Sequence, residues 1–135
     1  MGKSRRQRVM ERAKGRCEYC RIPQEYDVLP FQVDHILAQK HEGATTLANL
    51  ACACLPCNSY QGPNIAGVDP VDGAIVRLFN PRADIWGEHF SWHGPELVGL
   101  TPIARATIAV LRINAKERVE LRRLLMKAGL YRERS

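Results

Sequence analysis

Cys17-Glu18-Tyr19-Cys20, Val33-Asp34-His35-Ile36, Asn49-Leu50 and Cys54-Leu55-Pro56-Cys57-Asn58 follow one another within 42 residues of the chain. A Cys-x-x-Cys pair lets two thiolates bind one tetrahedral ion at about 2.3 Å, and two pairs complete a closed structural site. The alternative is two disulfides in an exported protein. The first residues, Met1-Gly2-Lys3-Ser4-Arg5-Arg6, lack the apolar run of a secretion signal, so a reducing cytoplasm is the expected compartment. Structural Zn²⁺ on Cys17, Cys20, Cys54 and Cys57 follows as the expectation. It ties the intervening segment at its base, which suits a chain of 135 residues. Cys52, the fifth cysteine, reads as a buried strand residue more than as an alternate ligand.

Working outward, Val9, Met10 and Ala13 stand at helical spacing within Arg5 to Lys14, with Gly15 as a stop before the first knuckle. Val28 to Ile36 reads as a strand interrupted by Pro30, Asn49 to Cys54 as a second, and Leu55 onward as a brief helix ended by Gly62-Pro63. Asp72-Gly73 predicts a tight turn into Ala74 to Phe79. A further strand is expected around Glu88 to Trp92, with His93-Gly94-Pro95 as the turn before Leu97 to Leu100. Thr101-Pro102 supplies an N-cap and a first-turn proline for a helix towards Arg112. Ile113 to Ala128 continues as an amphipathic segment with Val119, Leu121, Leu124 and Leu125 on one side.

Charge is uneven along the chain. Residues 1–16 carry seven basic and one acidic residue and residues 112–135 carry eight and three, whereas the middle is net −5. Basic ends around an acidic centre suit a polyanion gripped by the ends, and Lys3, Arg5, Arg6 and Arg8 are the candidate phosphate contacts. Arginine-rich helical faces that serve only solubility are the competing reading. No apolar run reaches the eighteen residues of a membrane span, so no membrane partner is expected. Composition and length point to one domain over 1–135: a basic helical arm at 1–16, a zinc-stapled core at 17–67, and short strands plus helices at 68–135.

The quoted motifs resemble those of the HNH endonucleases, part of the ββα-metal or His-Me finger group. In that family an Asp-His pair ends the first strand, an Asn-Leu opens the second, and a helix begins near the second Cys-x-x-Cys. The loop Lys40-His41-Glu42-Gly43-Ala44-Thr45-Thr46 is also similar to the family's, as are Gln61 to Gly67, Leu78-Phe79-Asn80-Pro81-Arg82, Trp86 and His89-Phe90. The likeness runs from about Arg16 to about Arg123 and covers most of the chain. Two positions depart from the pattern. Asn58 stands where the family often has His, and Tyr60-Gln61-Gly62 replaces a region that commonly holds Lys, a phosphate contact. The resemblance implies an α+β fold, with a small ββα core stapled by zinc between an N-terminal basic helix and C-terminal helices.

It also implies a metal-dependent endonuclease that hydrolyses phosphodiesters of DNA, or of RNA. An imidazole titrates near neutral pH, so His35 is the candidate general base. Asp34 and Asn58 are the candidate oxygen ligands of a catalytic Mg²⁺, Mn²⁺ or similar ion. Asn49 is expected to orient the loop and to hydrogen-bond the His35 ring. Neighbours on a strand point to opposite faces, so Asp34 and His35 converge only if the strand end is distorted or a phosphate lies between them. His41 reads as a solvated loop residue, and His89 and His93 as core or turn residues beside the aromatic cluster. The alternative function is a zinc-stapled nucleic-acid-binding module without cleavage.

Overall fold

A computed structural model describes residues 2–131 of the chain. They form two compact units, Met1–Pro63 and Asn64–Ser135. Both mix short helices with two-stranded antiparallel sheets, so the fold is a small α+β one.

The first unit opens with α1, Arg5–Arg12. Ser4 caps it reciprocally with Gln7: the Gln7 N–H donates to Ser4 Oγ at 3.1 Å, and the Ser4 N–H donates to Gln7 Oε1 at 2.7 Å. Val9 is fully buried, and the helix packs on β2. It ends before the expected Lys14 because Lys14 and Gly15 both adopt positive φ, 56° and 70°. The first knuckle follows, then β1, Gln32–His35, and β2, Leu50–Ala53. These pair antiparallel, with Asp34 opposite Ala51 and His35 opposite Leu50. β1 is far shorter than the strand expected from Val28: Pro30 has no N–H to donate, a 3₁₀ turn occupies Gln24–Tyr26, and Val28 is 91% exposed. Cys54 ends the second strand as the N-cap of α2, Leu55–Gln61, which packs against β1. The order β1, β2, α2 is the expected ββα core.

The second unit begins with β3, Ala66–Val68, which sequence periodicity did not reveal, paired with β4, Ile75–Arg77. A four-residue helical turn, α3 over Trp86–His89, takes Glu88 and His89 out of the expected strand. The ladder there joins β5, Phe90–His93, to β6, Glu96–Gly99. Phe79, Trp86 and Phe90 are buried against one another, with ring centroids 5.0 Å apart for Phe79–Phe90 and 5.2 Å for Trp86–Phe90. The cluster is core.

Helix α4, Pro102–Leu111, starts as expected, with Thr101 accepting from the Ala104 N–H, and ends at Arg112 in the left-handed region. Helix α5, Lys116–Lys127, starts three residues later than the expected amphipathic segment. Its inner stripe also differs. Leu124 is 57% exposed, whereas Arg122 is 1% exposed. The Arg122 guanidinium donates to the Pro95 and Ile113 carbonyls and to Asn114 Oδ1, and lies over the Trp92 ring. A guanidinium with a partner on each of its three nitrogens is thus buried on a helix face the hydrophobic pattern assigned to leucine. It also removes one cation from the basic C-terminal stretch; Arg132 and Arg134 of that stretch lie outside the described residues.

Candidate metal centre and adjoining catalytic site

The two knuckles meet at buried positions. The Sγ atoms of Cys17, Cys20, Cys54 and Cys57 all lie within 4.8 Å of one another, with Cys20 and Cys54 separated by 3.7 Å. Four sulfurs around one tetrahedral ion at about 2.3 Å would stand about 3.8 Å apart, so the donor set fits a structural metal. Local folding explains the convergence. Cys17 and Cys20 sit on a turn closed by Cys17 N–H to Ile22 O at 3.0 Å, while Cys54 and Cys57 flank the first turn of α2. The crowded thiols exchange hydrogen bonds that hold Cys20 well below the usual thiol range and raise Cys54 and Cys57.

Cys52 is outside this set. It is fully buried on β2, its thiol faces Met10 Sδ at 3.3 Å, and burial pushes its pKa up to about 12.

Asp34 and His35 occupy the end of β1 on opposite faces. Asp34 is 5% exposed and accepts a hydrogen bond from the Tyr19 hydroxyl at 3.1 Å on Oδ2. Burial pushes its carboxyl up to about 7, against the lowering effect of that bond. His35 is partly exposed, with Nε2 2.9 Å from Thr45 Oγ1, which Gln39 Nε2 also approaches at 3.3 Å. The imidazole is therefore held by Thr45, not by Asn49 as expected from the resemblance.

Asn49 instead staples the loop. Its Nδ2 donates to the carbonyls of Leu37 and Ala44, and its Oδ1 accepts from the Leu37 N–H, each at 2.9 Å. Gly43 sits inside the staple. A Cβ there would lie 1.7 Å from Leu37 O and 2.9 Å from Asn49 Nδ2, so no other residue fits without moving the loop. His41 is not merely solvated, for its Nε2 lies 3.0 Å from Pro63 O beyond the end of α2.

On α2, Asn58 is half-buried, and among the described residues its side chain has no hydrogen-bond partner. One turn further, Gln61 is 2% exposed and its Oε1 is likewise unpartnered. Asn58 is carried by α2, which packs against the strand that carries Asp34.

The N-terminal cations divide. Lys3 pairs with Glu11, and an Arg6 nitrogen donates to Phe31 O at 3.0 Å. Arg5 and Arg8 are exposed and, among the described residues, their side chains make no ion pair or hydrogen bond. Arg12, absent from the expected contacts, reaches the carbonyls of Leu47 and Leu50 and pins the start of β2 to α1.

Sequence reasoning passed over Tyr19 and Thr45. A large side chain with a polar tip held between two clustered cysteines is a legible signal for a buried bond; Thr45, ten residues from His35 in a loop, offers none.

Residues 17–63 match the model of the HNH endonuclease family. No curated protein and no solved structure matches the chain. No helix among the described residues is long and apolar enough to cross a membrane.

Proposed function

We propose, from the premise that this chain carries an HNH endonuclease domain at residues 17–63, that it is a metal-dependent endonuclease hydrolysing DNA phosphodiesters. What supports the reading is the ββα arrangement itself: β1 ends on Asp34 and His35, and α2, which bears Asn58, packs on that strand. A pure binding module has no need of an acid, an imidazole and an amide at these places in the core. Zn²⁺ is the ion suited to the four thiols, where it ties the knuckles and contributes to folding.

Asp34 and Asn58 would hold a divalent cation such as Mg²⁺ or Mn²⁺. When bound it supplies Lewis-acid stabilisation to the scissile phosphate and the departing 3′ oxygen. His35 acts as the general base. With Nε2–H donating to Thr45 Oγ1, Nδ1 keeps the lone pair that takes a proton from the attacking water. Asn49 keeps the loop, and hence Thr45, in place. Arg5 and Arg8 contact phosphates away from the cleaved bond. In this reading residues 1–135 work as one nuclease domain, with the chemistry in the first unit.

The test is incubation of the zinc-loaded protein with supercoiled plasmid and Mg²⁺ or Mn²⁺, with a chelator control. Wild type should cleave, and His35→Ala should lower the rate by roughly 10²- to 10⁴-fold, the usual weight of a general base, while DNA affinity persists. Equal cleavage by His35→Ala and wild type would sink the proposal and leave a zinc-stapled nucleic-acid-binding module.

A further inference from the structure

We infer that Tyr19 is a positioning residue: its hydroxyl aims the Asp34 carboxylate at the divalent ion and thereby couples the four-thiol centre to the catalytic site. The inference rests on the reading of Asp34 as a ligand of that ion.

Tyr19 lies between Glu18 and Cys20, and all three are buried. Its flanks are fixed on both sides. Cys20 belongs to the thiol cluster. Glu18 is bound twice to β2, through its N–H to Cys52 O and through Oε2 from the Cys52 N–H, both at 2.8 Å. Cys52 stands opposite Val33, and the next rung pairs Ala51 with Asp34. The first knuckle is therefore docked on the ladder that carries the carboxylate, and the phenol spans the remaining gap with a bond of 3.1 Å to Oδ2.

A carboxylate rotates about its last bond unless something holds an oxygen. One donor on Oδ2 sets the plane and leaves Oδ1 for a cation. Both side chains are nearly inaccessible to water, at 1% and 5% exposure, so solvent cannot replace the donor easily. Partners that orient a metal ligand are commonly worth roughly 10- to 100-fold in metal affinity. Zinc at the knuckle would then serve the catalytic site as well as the fold, because it holds the residue beside the tyrosine.

The experiment uses the full zinc-loaded chain without DNA and measures Mn²⁺ affinity by calorimetry or electron paramagnetic resonance. Tyr19→Phe keeps the ring and removes the donor. It should retain one zinc per chain while Mn²⁺ binds roughly 10- to 100-fold more weakly, and cleavage should recover at saturating Mn²⁺. Asp34→Ala is the control. If Asp34→Ala loses Mn²⁺ binding but zinc-loaded Tyr19→Phe binds like wild type, the inference fails and the proposed function stands. If Asp34→Ala also binds like wild type, both fail. Should Tyr19→Phe lose zinc or fold poorly, wild-type protein labelled with 3-fluorotyrosine decides. The Tyr19 fluorine resonance should shift as Mg²⁺ saturates the site and stay still in Asp34→Asn; a wild-type signal that ignores Mg²⁺ overturns the inference.

Discussion

Cys17 and Cys52 are both buried thiols in one small unit, yet they should respond in opposite ways to the same change. Cys17→Ser removes one of four clustered donors and should leave the protein zinc-poor and partly unfolded. Cys52→Ser should keep one zinc per chain, because its thiol faces Met10 rather than the cluster. Metal analysis beside circular dichroism reads both, and zinc loss in Cys52→Ser would contradict the ligand set. Asn49 is the other residue with a calculable role. Its amide makes three bonds to loop backbone. These lie near the surface, where water can replace them, so Asn49→Ala should cost about 1–3 kcal/mol in denaturant unfolding. Cleavage should fall further than stability does, since the loop places Thr45 against His35.

At the scale of elements, the loop between β1 and β2 is closed by shape as well as by bonds. Gly43→Ala demands space occupied by Leu37 O, so the loop must open. Turnover should drop at least tenfold while zinc content is unchanged; unaltered turnover would detach the loop from catalysis.

In the second unit the β3–β4 turn is anchored on α4 by Asp69, fully buried, which accepts from Arg105 Nε at 2.9 Å and Nη2 at 2.7 Å. The Arg105 hydrogen bonds hold the Asp69 carboxyl down at about 2, below its ordinary 3.8. A carboxyl depressed in the folded state stabilises the fold above its unfolded pKa, and that contribution is lost as pH falls from about 4 towards 2. Asp69→Asn should therefore melt lower than wild type at pH 6, with the gap narrowing below pH 4 in thermal scans. A gap that does not depend on pH would rule out the ion pair as its source.

For the molecule as a whole, net charge matters less than which cations are unoccupied. Arg6 holds Phe31 and Arg122 lies in the core, so deleting the N-terminus would confuse folding with binding. Replacing exposed Arg5 and Arg8 with Gln avoids this. If each contacts a phosphate, the double variant should flatten log affinity against log salt by about 0.9 per lost contact, with little change in saturated turnover. An unchanged slope would leave these arginines as surface charge.

Features that depend on local spacing and donor chemistry were legible in the order of residues. Two Cys-x-x-Cys pairs specified the metal cluster and Thr101-Pro102 a helix start, because each needs only near neighbours or an atom type, while the ββα core was implied by the resemblance of Asp34-His35, Asn49 and Asn58 to the HNH endonucleases. Tertiary structure decided what depends on partners distant in sequence. It cut β1 short at Gln32, turned the Asn49 amide to Leu37 and Ala44 and left His35 to Thr45, and buried Arg122 where Leu124 was expected. A hydrophobic pattern scores side chains by their average cost of burial, whereas Arg122 is buried because three oxygens from elsewhere in the chain satisfy its guanidinium. The Tyr19–Asp34 bond belongs to the same class: fifteen residues apart, the two groups meet only because the knuckle docks on β2.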